Sequence, residues 1–186
     1  MCTKRFPAAG FLFTLIAGSL LHFVYGWSGE SPFAAPFAPV NESTWEHLKL
    51  LFFPVLLFSA AEYPLRGYRC CAFWPSRLAG ILAGMAAVTG LFYIYTGIWG
   101  KDVFWIDLLL FVLGCFLCFY VSCRLVNASL DGQDPPEAPL LCRRGFCAVS
   151  LLFLFLLLVL FTVFTFTPPG IPLFQDPVTG AWGLPA

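Results

Sequence analysis

Leu151-Leu-Phe-Leu-Phe-Leu-Leu-Leu-Val-Leu-Phe-Thr-Val-Phe164 decides the fold. The run carries no charge and lacks the apolar–polar alternation of a barrel strand. Extended to Gly145–Phe166, it reaches the roughly 20 residues with which a helix crosses about 30 Å of hydrocarbon. Lipid offers no hydrogen bonds to the backbone, so only helices and closed barrels span it. An unbroken apolar run of this length selects the helix.

Working outward, four more stretches meet the same test: Gly10–Trp27, Thr44–Tyr63, Leu78–Trp99 and Val103–Leu125. The whole chain agrees. Of 186 residues, 60% are hydrophobic and only 11% charged, and the mean hydropathy is +0.85. A soluble domain is about 25% charged. The ten basic and ten acidic residues cancel, which leaves no surplus for nucleic acid. Soluble enzyme, disordered tail and nucleic-acid binder are excluded. The expectation is an all-α integral membrane bundle of five transmembrane helices, one domain over residues 1–186, with the lipid bilayer as its partner. Lys4 and Arg5 precede the first span, but that span is long for a secretion signal, so an uncleaved first helix is expected.

Basic residues set the orientation. Lys4, Arg5, Arg66, Arg69, Arg77, Arg124, Arg143 and Arg144 fall on one side of a five-span chain. That side is expected to be the cytoplasm of a plasma-membrane protein, with the N-terminus inside and the C-terminus outside. Trp27, Trp45, Trp99, Trp105 and Trp182 then form an outer aromatic belt, with Trp74 at the inner interface. Cys2, Cys70, Cys71, Cys123, Cys142 and Cys147 fall on the reducing side, so no structural disulfide is expected. Cys115-x-x-Cys118 lies inside an apolar helix, where cysteine serves as a small hydrophobe. Gly80-x-x-x-Gly84 predicts a close helix contact.

Polar residues at membrane depth are costly and mark sites. His22 lies near the outer end of helix 1, where Gly26 would allow a neighbour to approach. Helix 2 opens with Asn41-Glu-Ser-Thr-Trp-Glu-His-Leu-Lys49, the densest polar run in the chain. Ser43-x-x-Glu46 fits a capping box. Glu42 and Glu46, four apart, are expected to face one way, and Lys49 to snorkel outward. Pro54 frees the Leu50 carbonyl below this cluster, a break that could floor a cavity. Asp102 is expected to cap helix 4, and Asp107, a turn further in, to face the bundle interior. Glu62 and Arg66 are read as an interfacial ion pair. Helix 5 reads as a lipid-facing wall.

Two proline-rich segments flank this outer end. One is the loop Ser28–Val40. The other is the tail 167–186, read as an ordered strap over the outer mouth, with Asp176 in it. The candidate ligand-binding residues are therefore His22, Asn41, Glu42, Glu46, His47, Asp107 and Asp176. Within that set His22, Glu46, His47 and Asp107 could ligate a metal, and a His/carboxylate set suits zinc.

Three blocks carry a resemblance: His22-Phe-Val-Tyr-Gly-Trp-Ser-Gly29, Pro39-Val-Asn-Glu-Ser-Thr-Trp-Glu-His-Leu-Lys49 and Pro168-Pro-Gly-Ile-Pro-Leu-Phe-Gln-Asp-Pro-Val-Thr-Gly180. On these the sequence resembles an uncharacterised family of small bacterial integral membrane proteins, classed as a domain of unknown function. The resemblance implies a multi-helix membrane protein and no activity, so no site residue follows from it.

Three functions compete on the residues alone. The first is binding of a cation or small ligand, as a small transporter or the accessory subunit of one; passage through so small a bundle would need an oligomer or a membrane partner. The second is a metal-dependent hydrolase of a lipid-type substrate, with a zinc-activated water. The third is a structural or partner-binding protein whose polar residues are caps and interhelical bonds. Assigning sides gives about +4 of formal charge inside and −4 outside, and both histidines lie with the acidic excess.

Overall fold

The computed structural model describes residues 5–65, 67–131, 140–142 and 144–184. Cys2, Lys4, Arg66 and Arg143 lie outside the described residues, as does the proposed Glu62–Arg66 pair. Among the described residues are five α-helices: α1 Arg5–Trp27, α2 Thr44–Leu65, α3 Phe73–Trp99, α4 Phe104–Asp131 and α5 Arg144–Phe166. All five are long and apolar enough to cross a membrane. No strand occurs among the described residues, beyond one isolated bridge between Gln175 and Trp182. Several helices overrun their apolar stretches: α3 starts before Leu78 and α4 continues past Leu125. Apolarity marks the hydrocarbon, whereas backbone hydrogen bonds continue into the interface.

Successive helices run in opposite senses, so the ends of α1, α3 and α5 meet the starts of α2 and α4. This is the histidine end; the opposite one is the arginine end. α2 is central and the most buried span, flanked by α1 and α3, while α3 and α4 pack along their lengths and α5 lies against α3. Phe52, Val55, Ile81, Cys115, Cys118 and Phe161 fill the centre of the core.

Close approaches explain the glycines. A β-carbon on Gly80 would lie 2.2 Å from the Cys118 carbonyl oxygen, and one on Gly84 2.6 Å from that of Gly114. The α3–α4 contact is thus backbone against backbone, with Cys118 wedged in as a small apolar side chain. α2 stays helical through Pro54. The Leu50 carbonyl, deprived of its donor by that proline, faces Gly18 of α1, whose β-carbon would lie 2.4 Å from it. The helix continues through the proline, and the freed carbonyl packs against the glycine of a neighbouring helix.

Other expectations are corrected. Cys71 and Cys142 form a disulfide joining the α2–α3 connection to the chain entering α5. Loop sidedness had argued against any disulfide, but it carries no information on which loops meet. Trp45 is buried, its ring tilted against Phe161 and Phe174 at centroid distances of 4.6 and 4.9 Å, and is a core anchor rather than a belt residue. Gly26 faces open space. Glu62 also pairs with Arg77 at 2.6 Å inside the arginine end, a partner the sequence reading did not name and one that does not bear on the Glu62–Arg66 pair.

Candidate functional site

Everything at the histidine end depends on where α2 begins. The helix starts at Thr44 with Ser43 as its cap; the Ser43 hydroxyl accepts from the Glu46 N–H at 3.4 Å. Glu42 therefore lies outside the helix, and the four-residue spacing that put Glu42 and Glu46 on one face does not apply. The two carboxylates turn in opposite directions.

Glu46 turns toward the loop and the end of α5. It does not return to the Ser43 N–H, as a full capping box requires; that N–H donates to the Asn41 side chain at 2.9 Å. Instead the Glu46 carboxylate accepts from the Val40 N–H at 3.0 Å, Lys49 at 2.6 Å and the Thr165 hydroxyl at 3.0 Å. Lys49 does not snorkel. Its side chain is 0% exposed, and its ammonium is also ringed by the carbonyls of Ala35 and Ala38, at 2.8 and 3.2 Å, and Thr165 Oγ1 at 2.6 Å. Snorkelling needs a path to water, and here the turns of residues 31–38 close over the head group. α5, read as a plain wall, supplies Thr165 to this cluster.

Glu42 turns toward α1. Its Oε2 lies 3.3 Å from His47 Nε2 and its Oε1 3.9 Å from His22 Nε2. The two imidazoles sit 5.4 Å apart, centroid to centroid. Each of His22, Glu42 and His47 offers a ligand atom within 4.8 Å of the others. The His47 contact holds the Glu42 carboxyl below the usual carboxylate range, against the opposing effect of its partial burial. His47 Nδ1 faces the Ser43 carbonyl at 3.0 Å, which orients the ring and leaves Nε2 aimed at the cluster. That is the outer contact a metal-ligating histidine commonly makes. The side chains are a third to a half exposed, and they open onto a cavity of about 370 Å³.

Asp107 lines the same cavity and accepts a hydrogen bond from Tyr95 of α3. Asp102 also lines it; α4 begins at Phe104, and it is the Val103 carbonyl that accepts the first helical bond, from Asp107 N–H at 3.1 Å. Asp176 is not turned into the cavity. Its carboxylate accepts from Val178 N–H and the Thr179 hydroxyl, at 2.8 and 2.7 Å, and holds a turn of the tail. That turn brings Pro177 and Val178 to the cavity edge. Asn41 ties the approach to Glu42 to the tail, donating to the Gly183 carbonyl at 2.8 Å.

Of the seven candidate ligand-binding residues, the structure thus gathers His22, Glu42 and His47 into one cluster and sets Asp107 in the same cavity. It places Glu46 in a separate buried ion pair, and Asn41 and Asp176 in hydrogen bonds that shape the surrounding backbone. Glu42 replaces Glu46 beside the imidazoles; the position of the cap, Ser43, was the signal that could have separated them.

No curated protein and no solved structure matches the chain. One family does, over residues 3–133 and 141–184. The chain belongs to that family, described as a family of unknown function (DUF6512).

Proposed function

We propose that this multi-pass membrane protein binds a divalent transition metal ion, zinc being the probe of choice, through His22 Nε2, His47 Nε2 and the Glu42 carboxylate. The observation that carries the reading is the convergence of these three groups within 4.8 Å from separate parts of the chain. Ligands about 2.0–2.1 Å from a zinc ion lie about 3.3 Å apart in a tetrahedron. His47 Nε2 and Glu42 Oε2 already stand at that separation, and His22 Nε2, 3.9 Å from the other Glu42 oxygen, has to move closer. Two neutral nitrogens and one carboxylate suit zinc and its neighbours, not calcium or magnesium, which take oxygen. Three protein ligands leave a fourth position open toward the cavity.

Binding is favoured over passage. Toward the arginine end, Glu62 is matched by Arg77, and the Ser59 and Ser122 hydroxyls donate to helix carbonyls. These groups are used within the protein and offer a cation no continuous line of ligands among the described residues. The excess of basic residues supports a cytoplasmic arginine end, on which reading the metal site faces outward; the Cys71–Cys142 disulfide at that end argues the other way. An impermeant thiol reagent should then reach Cys70 only after cells are opened. Burial raises the Cys70 thiol, so this labelling is run above neutral pH.

The deciding experiment is metal analysis of protein purified in detergent, with zinc titrated into the apo form. The expected result is one zinc per chain, lost in both His22→Ala and His47→Ala while far-ultraviolet circular dichroism is unchanged. Zinc binding that survives both substitutions would overturn the assignment.

A further inference from the structure

The cavity beneath the metal cluster is most polar at its top, and Ser19 of α1 is the polar residue of its otherwise apolar lower lining. His22, Glu42, Asp102 and Asp107 gather at the histidine end, while Leu51, Val88 and Phe111 line the deeper part. At 1.5 Å per residue, Leu51 lies about 10 Å below the start of α2 and Val88 about 16 Å below the end of α3. The depth is bounded where Gly18 of α1 meets the Leu50 carbonyl and Phe111. A hydrated ion does not need an apolar shaft of that length. A hydrocarbon chain does.

Apolar residues of α1 and α4 line part of the cavity: Phe23, Phe104 and Leu108, which are 53%, 68% and 41% exposed. They lie toward the histidine end of the bundle. The volume of about 370 Å³ falls in the range of small-molecule sites, about 300–1,000 Å³.

Charge selects the head group. Among the described residues, the charged ones lining the cavity, apart from the histidines, are Glu42, Asp102 and Asp107, with neither lysine nor arginine. A divalent ion among three carboxylates leaves one net negative charge. An anionic head would meet repulsion there, and an ammonium, though attracted, has no lone pair to offer the metal; an uncharged oxygen donor can take the open metal position.

We infer that the cavity is the binding site of a single-chain lipid with an uncharged carbonyl-bearing head, such as a monoacylglycerol, which enters from the bilayer between α1 and α4 and ligates the metal through its carbonyl oxygen. The inference rests on the metal reading above. The chain gains little by moving from lipid into an equally apolar shaft, so affinity comes from the head and requires the metal.

The test is equilibrium binding of radiolabelled monooleoylglycerol, oleate and oleylamine to the full chain in nanodiscs, with zinc bound and after chelation. Stoichiometric binding of monooleoylglycerol, at least tenfold tighter than either competitor and lost on chelation, is expected. Leu108→Trp and Val88→Trp, which crowd the exposed lining and fill the shaft, should each lower that binding at least tenfold while keeping one zinc per chain. The zinc stoichiometry reports that each variant is folded. Full zinc loading without monooleoylglycerol binding overturns this inference and leaves the metal reading standing. Absence of zinc binding overturns both. Oleate or oleylamine binding as tightly as monooleoylglycerol overturns the head-group assignment, and unchanged lipid binding in both tryptophan variants overturns the placement.

Discussion

Two ionic clusters share the first turns of α2, and they are built on opposite principles. Around Lys49, every charge is matched: Glu46, Thr165 and two loop carbonyls surround one ammonium that is sealed from solvent. Around His47, one carboxylate lies between two imidazoles, the side chains are a third to a half exposed, and His22 Nδ1 has no hydrogen-bond partner. A closed, satisfied cluster has nothing left to offer a ligand; it fixes the loop and α5 against α2. An open cluster with spare lone pairs beside a cavity has binding capacity that the fold does not consume. Residues 46 and 49 are therefore read as architecture, and 42 and 47, interleaved with them in sequence, as site.

The largest effect that would break this contrast is on stability. Lys49→Ala leaves the Glu46 carboxylate buried without its counter-charge. Removing one partner of a buried pair costs about 3–5 kcal/mol. A large fall in the detergent unfolding midpoint is expected, partly restored by the double change Lys49→Met with Glu46→Gln. His47→Ala, by contrast, should lower the midpoint far less. Comparable losses for Lys49→Ala and His47→Ala would erase the distinction between the two clusters.

That distinction was only partly legible in the sequence. Five spans could be read from apolar length, and the backbone's need for internal hydrogen bonds made them helices. The gathering of polar residues at one end was legible too, because membrane depth makes each of them conspicuous. The direction in which each side chain turns was not. Periodicity assigns faces only inside a helix, and the cap at Ser43 falls between Glu42 and Glu46. Lys49 was misread because snorkelling is the rule for a lone lysine, and the residues that enclose it come from the 31–38 turns and from Thr165, far along the chain. The Cys71–Cys142 disulfide was invisible for the same reason: it is a meeting of two connections, which no local pattern records.

Zinc gives the next largest effect. A ligand that binds only the folded state stabilises it by about 2.7 kcal/mol at a hundred times its dissociation constant. Zinc should raise the unfolding midpoint of the wild-type protein and leave that of His47→Ala unmoved. It should still raise that of Lys49→Met/Glu46→Gln, because the closed cluster contributes no ligand. Loss of the zinc response in that double variant would show that the clusters act as one unit.

Acidification should sharpen the contrast by a smaller amount. Metal ligation needs neutral imidazoles, so protons compete with zinc below histidine's ordinary value of about 6.5. Each imidazole then costs up to about 1.4 kcal/mol of zinc affinity per pH unit. Glu42 does not add to this loss near pH 6, since His47 holds its carboxyl below the usual range. A zinc titration from about pH 7.5 to about pH 4 should show affinity nearly constant at first and then falling steeply below about pH 6.5. A fall that begins only below pH 4.5 would mean that carboxylates alone hold the ion.

The smallest effect is that of Glu42→Gln on the metal-free protein. The carboxylate is half exposed, so solvent screens its attraction to the imidazoles, and a change within about 0.5 kcal/mol is expected. Its sign follows from linkage. A carboxyl whose folded value is depressed contributes stability above its ordinary value of about 4.3, and that contribution disappears as the pH falls through the folded value. Wild type and Glu42→Gln should therefore differ slightly at pH 7 and converge in acid. With zinc bound the two should separate widely, because the substitution removes the anionic ligand. A stability difference that is large without zinc, and no larger with it, would move Glu42 into the class of Glu46: a residue that builds the end of the bundle rather than one that uses it.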